Sequence, residues 1–162
     1  QAFRIWRLKQ RPQDKPLILM GADVEGLLCH VSPVARADAM ALAQLHWPGA
    51  LTLVVPAFGP YAEALNPGVA TLGLRIPACK PMLELLTSSG PLATTSANIS
   101  GQPASRTAID AACSFPDLPL LAPVPWPEPS GEASSVIAWK GPRCWHWLRR
   151  GAVIPADVMS LD

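Results

Sequence analysis

Proline does most to limit what this chain can fold into: 19 of its 162 residues are proline, roughly 12% against an average share near 5%. Each ring fixes φ and removes a backbone donor, which excludes a long-helix bundle or coiled coil. Short helices, strands and tight turns remain. The length suits one ordinary domain, large enough to bury a core without disulfides or metals. With 49% hydrophobic and 15% charged residues the chain is globular, not disordered. Cys29, Cys79, Cys113 and Cys144 stand far apart, with no CxxC pair and no ligand cluster. That is the usage of reduced thiols in the cytoplasm. No apolar run approaches the ~18 residues a bilayer requires, and no signal peptide opens the chain, so a cytoplasmic protein off the membrane is expected.

Punctuation by proline and glycine divides the chain into alternating elements. The opening QAFRIWRLKQRP reads as the last turns of an amphipathic helix stopped by Pro12. Arg4, Arg7 and Arg11 share one face of it, and Phe3, Ile5, Trp6 and Leu8 supply the apolar side. PLILM (16–20) reads as a buried strand. Ser32-Pro33 opens a helix that runs to His46 and ends at Pro48-Gly49. LTLVVP (51–56) and TLGLRIP (71–77) are strands joined by a Pro/Gly/Asn loop. A short helix covers 81–88, and PLATTSANISGQP passes from strand to polar loop. Residues 107–115 are helical, LLAPVPWPEPSGE is irregular, and SSVIAW and CWHWLRRG form two closing strands. The alternation predicts a single α/β domain.

Net charge is only +1, yet the cations are clustered. Five of them (Arg4, Arg7, Lys9, Arg11, Lys15) fall in the first fifteen residues, and Arg143, Arg149 and Arg150 gather near the end. Such a distribution fits an anion site assembled by folding, or scattered solvated charge. Lys9, Arg11 and Lys15 leave a helix end for a loop, where they can converge on phosphates or simply complement the helix dipole. Arg75 lies in a strand with no carboxylate within eight residues. It must reach an acid, carbonyls, an anionic ligand or solvent. Thr94, Thr95, Ser96, Asn98 and Ser100 form a loop that can face a phosphate or sugar, or cap a helix. His30, His46 and His146 lack metal-ligand spacing and read as structural. Neither a nucleophile elbow nor a Cys–His motif is present, so side-chain nucleophilic catalysis has little support. The six tryptophans could stack on bases, but core packing or surface pairing explains them more simply.

Six segments in order, LKQRPQDKPLIL, HWPGALTLVV, TLGLRIP, ATTSANISGQPAS, SGEASSVI and LRRGAV, resemble the YrdC-like family of threonylcarbamoyl-adenylate synthases. The resemblance spans nearly the whole chain. It implies a single twisted mixed-sheet α/β domain with a concave basic face that joins ATP, L-threonine and bicarbonate into threonylcarbamoyl-AMP, releasing pyrophosphate. ATP enters as substrate with Mg2+, and the product serves modification of the adenosine beside the anticodon in tRNA. Residue by residue, Lys9 and Arg11 match the family's K-x-R pair on the phosphates, and Lys15 a polar ATP contact. Thr71 and Arg75 match the T-x-x-x-R strand, with Arg75 on the threonine carboxylate. Ser96 and Asn98 match the S-x-N loop at the nucleotide and threonyl group. Ser105 or Arg106 borders the nucleotide, Ser134 and Ser135 occupy an S-T pair with Ser135 toward threonine, and Arg149 is a further phosphate contact. No resident metal and no protein nucleophile are implied.

The chain departs from the pattern in places. The family's P-T-x-T strand, expected before the K-x-R pair, is absent from residues 1–162, which read as a YrdC-like domain lacking its first strand region. Met20 stands where some members carry His, Ser135 replaces Thr, and Arg150 replaces Pro. These departures leave open a second reading, a relative that binds double-stranded RNA, tRNA or ribosomes through the Arg4/Arg7/Arg11 face without synthase chemistry. A carbamoyl-adenylating domain with another acceptor is a third.

Overall fold

A computed structural model describes residues 2–10, 12, 15–156 and 158. Its six strands are β1 (Ile18–Met20), β2 (Leu51–Pro56), β3 (Thr71–Arg75), β4 (Leu92–Thr94), β5 (Ser135–Gly141) and β6 (Cys144–Arg149). They form one sheet in the order β4-β1-β3-β2-β5-β6. β1 runs parallel to β3, and β2 to β5; the other neighbours are antiparallel. The expected mixed α/β sheet is therefore present.

Six helices accompany the sheet: α1 (Ala2–Lys9), α2 (Val24–Leu28), α3 (Pro33–His46), α4 (Pro60–Leu65), α5 (Lys80–Ser89) and α6 (Ala108–Ser114). Proline starts helices here as often as it breaks them. α3, α4 and α5 each carry it at one of the first two positions, where its missing N–H costs nothing. α4 corrects the sequence reading, which made the whole β2–β3 connection a loop. α2 was not foreseen; Asp23 caps it by accepting from the Gly26 N–H at 2.6 Å.

One face of the sheet is the core. Leu19, Leu53, Leu72, Leu74 and Ile137 are buried against Leu27, Leu28 and the alanines of α3. Ala35, Ala39 and Ala43 recur every fourth residue and are wholly buried, so α3 lies close on the strands. Each buried leucine contributes about 1.5–3 kcal/mol. The opposite face is half-covered: Ile18, Met20, Val54, Thr71, Arg75 and Val136 keep partial exposure.

Helix α1 departs from its expected apolar side. Trp6 is buried and Ile5 partly so, but Phe3 and Leu8 are exposed, and Lys9 is buried at 3%. The inward stripe is Trp6 and Lys9, three residues apart, which the apolar count could not show. α1 ends at Lys9, and Gln10 takes a left-handed φ of 51° ahead of Pro12. Trp6 Nε1 donates to the Lys15 carbonyl at 3.0 Å, folding that turn back on the helix.

Candidate functional site: an open sheet face with two cationic clusters

The first cluster joins α1 to the loop after β4. Lys9 Nζ donates to the Ser96 carbonyl and, at 3.0 Å, to Asn98 Oδ1. Ser96 Oγ donates to the same Oδ1 at 2.6 Å, while Asn98 Nδ2 donates to the Ile99 and Gln102 carbonyls. Ser100 N–H donates to the Lys9 carbonyl at 2.9 Å. A buried ammonium is tolerable because it is satisfied in this way. Residues some ninety positions apart thus meet. Arg11 lies outside the described residues. Beside Lys9 and Ser96 opens a cleft of about 350 Å³, walled largely by apolar side chains that include Ile5, Met82, Leu92, Phe115 and Leu118.

Arg75 and Arg149 form the second cluster. Pairing of Ile18 with Gly73, and of Met20 with Arg75, places Gly73 and Arg75 on the face of Ile18 and Met20. Arg75 Nε donates to the Gly49 carbonyl at 2.9 Å. Burial, and next the like charge of Arg149, hold its guanidinium below the usual arginine range. Arg149 Nε donates to the Ser134 carbonyl at 2.9 Å and a terminal nitrogen donates to Ser134 Oγ at 3.1 Å. Among the described residues no carboxylate pairs with either arginine; the two ion pairs are Lys80–Glu84 and Arg106–Glu128. Two neighbouring guanidiniums aimed by carbonyls, with no acid between them, attract an anion.

The clusters are carried by one sheet, the partners of Lys9 just past β4 and the two arginines on β3 and β6. Thr94, two residues before Ser96, lies two strands and two register steps from Arg75, roughly 12 Å by strand geometry. That span suits an extended ligand with anionic groups at intervals better than one small ion. Thr71 lies on the Arg75 face, its hydroxyl accepting from Asn66 Nδ2 at 2.8 Å. Met20 sits beside Arg75 in the register.

The other expected residues are engaged elsewhere. Arg106 is exposed, 3.9 Å from Glu128, and lies over Gly131, where an added Cβ would meet its guanidinium at 2.9 Å. Ser105 Oγ donates to the Ala97 carbonyl. Ser135 is wholly buried, and its hydroxyl donates to the Val153 carbonyl while accepting from Gly151 and Val153 N–H groups. Those bonds use its one donor and both lone pairs, so contact with a ligand requires that turn to re-pair. Lys15 is exposed at the turn closed by Trp6. Sequence reasoning missed the Gly49 carbonyl and Thr52, whose signal was a lone hydroxyl in an apolar strand. No group of three His, Cys, Asp or Glu side chains among the described residues could hold a metal. None of their helices is long and apolar enough to cross a membrane.

Fold and site together define a single-sheet α/β protein that carries two cationic clusters. The model of the Sua5/YciO/YrdC family, described as telomere recombination, matches residues 2–151. This chain belongs to that family. A threonylcarbamoyl-AMP synthase of Idiomarina loihiensis is 38% identical over 116 residues, covering 70% of this chain and 62% of the relative. The crystal structure of Pyrococcus abyssi Sua5 complexed with L-threonine superposes with a TM-score of 0.82 at 33% identity, covering 93% of this chain and 44% of that one. E. coli YciO, at 19% identity and a TM-score of 0.72, shares the fold. The chain thus spans about three fifths of the Idiomarina relative and under half of the Pyrococcus chain.

Proposed function

We propose that this chain supplies the ATP- and threonine-binding face of a threonylcarbamoyl-AMP synthase. The observation that carries the reading is the pair Arg75 and Arg149, with no carboxylate paired to either among the described residues, together with the Lys9–Ser96–Asn98 cluster just past the end of β4. The relatives' name and the threonine complex of the Pyrococcus protein supply the chemistry to test.

In this reading Arg75 holds the threonine carboxylate, leaving the amine to face the nucleotide. The amine and bicarbonate give a carbamate with loss of water. A carbamate oxygen attacks the α-phosphorus, the bond to the β-phosphate oxygen breaks, and pyrophosphate leaves. No protein nucleophile is needed; the work is positioning and charge neutralisation. Lys9, with Arg11, and Arg149 meet the phosphates, and Ser96 and Asn98 fix the loop that meets them. Thr71 and Lys15 border the nucleotide, and Arg106 reaches it on leaving Glu128. Magnesium arrives with ATP as part of the substrate, and tRNA receives the threonylcarbamoyl group in a later step.

Substituting Arg75→Ala separates the two ligands. Threonine-dependent pyrophosphate release should fall at least tenfold, for loss of a charged hydrogen bond of about 1.5–3 kcal/mol, while ATP binding by calorimetry stays within about threefold. Retention of both would make Arg75 structural and remove the main support for the reading.

A further inference from the structure

Thr52 is the one hydroxyl in the apolar strand β2 and is wholly buried. The register pairing Leu53 with Leu74 brings it opposite Arg75, and its parallel partner Val136 pairs in turn with Arg149. It therefore lies in the sheet row between the two arginines. Its side-chain methyl faces the same surface, 3.7 Å from where a Cβ on Gly73 would stand. Its hydroxyl lies 3.2 Å from that of Ser134.

Ser134 is what aims Arg149, through both its carbonyl and its hydroxyl. A guanidinium only donates, so Ser134 Oγ must present a lone pair to it. A serine rotor has three staggered positions, and a second partner decides which is occupied. Thr52 is that partner. Valine would fill the same volume and suit a central strand at least as well, whereas a buried hydroxyl is costly unless its hydrogen bond is used.

We infer that Thr52 is a positioning residue for Arg149, acting through the Ser134 hydroxyl and touching no ligand itself. The inference rests on the proposed synthase reading for the identity of the anion, a nucleoside triphosphate. It deepens that reading by assigning a residue beneath the site that orients a phosphate contact.

The test uses the full-length protein carrying Thr52→Val, which keeps the shape and removes the hydroxyl, and Thr52→Ser, which restores it. Affinities for ATP and for inorganic triphosphate are measured by calorimetry, KM and kcat by pyrophosphate release, each alone and with Arg149→Ala. Thr52→Val should weaken triphosphate binding and raise the ATP KM about tenfold, with kcat changed far less. Thr52→Ser should return both to within about twofold of the parent, and Thr52→Val should add nothing once Arg149 is alanine. Thr52→Ala serves as a second hydroxyl-free variant, held to the same outcomes, should Thr52→Val not fold. An unchanged affinity, a failure of serine to rescue, or an equal loss in the Arg149→Ala background overturns the inference. A parent that binds triphosphate but releases no pyrophosphate defeats the synthase reading alone, because the affinity series still decides Thr52. A parent that binds neither ATP nor inorganic triphosphate overturns both.

Discussion

Lys9 shows how much a single charge can organise. It ends α1 almost fully buried, and its ammonium binds Ser96 and Asn98 from a loop nearly ninety residues away. Replacing it by methionine keeps the aliphatic stem and removes the donors. Stability to denaturant should fall by about 1–3 kcal/mol as the Asn98 network loosens. ATP affinity by calorimetry should fall at least tenfold through loss of a charge-assisted contact. A variant with parental stability and affinity would reduce Lys9 to a packing residue. The sequence marked Lys9 as a cation leaving a helix, and its motif as a phosphate grip. Its burial was hidden, because Phe3 and Leu8 offered a more apolar face that the fold leaves exposed. Ser135 was hidden likewise: a serine before a hydrophobic strand does not reveal that its hydroxyl closes a turn at Gly151 and Val153.

Among the elements, the β5–β6 hairpin is tied to α3 by one carboxylate. Asp38 accepts from Trp139 Nε1 at 2.8 Å and from the Arg143 backbone N–H at 2.7 Å. These bonds, the Trp139 one first, hold its carboxyl below the ordinary aspartate range. A depressed folded pKa means the stabilisation is complete above the unfolded value of about 3.9 and is lost as pH falls through the folded one. Thermal melts from neutral pH down past 3 should therefore show the parent losing more stability than Asp38→Asn, whose amide does not titrate there. Parallel curves would show that the tie contributes nothing. Elements with proline and glycine punctuation were the legible ones. α3 runs from Pro33 to His46 and β2 from Leu51 to Pro56, as read, because Ser32-Pro33 and Pro48-Gly49 bracket them. α4 escaped because Pro60 looked like part of a loop, although proline in a first turn starts a helix. At five residues, α2 is too short for periodicity to register.

At the scale of the molecule, the sheet order does what no segment does alone. By placing β1 between β4 and β3, it brings the loop of Ser96 and Asn98 and the strand of Arg75 into one sheet, two strands apart. The order of the six motifs was readable. The separation of the clusters was not, since it depends on register and crossover rather than composition. Four of the six tryptophans fall into place at this scale too: Trp6, Trp47, Trp145 and Trp147 are buried and pack in the core, while Trp126 and Trp139 stay half-buried. On the proposed reading, one site holds ATP and threonine together. Pyrophosphate release by the full-length protein from ATP, with threonine and bicarbonate supplied together, singly or not at all, tests it most directly. Release is expected only when both are present; release from ATP alone, or none while ATP still binds, would show that the chain does not join the two.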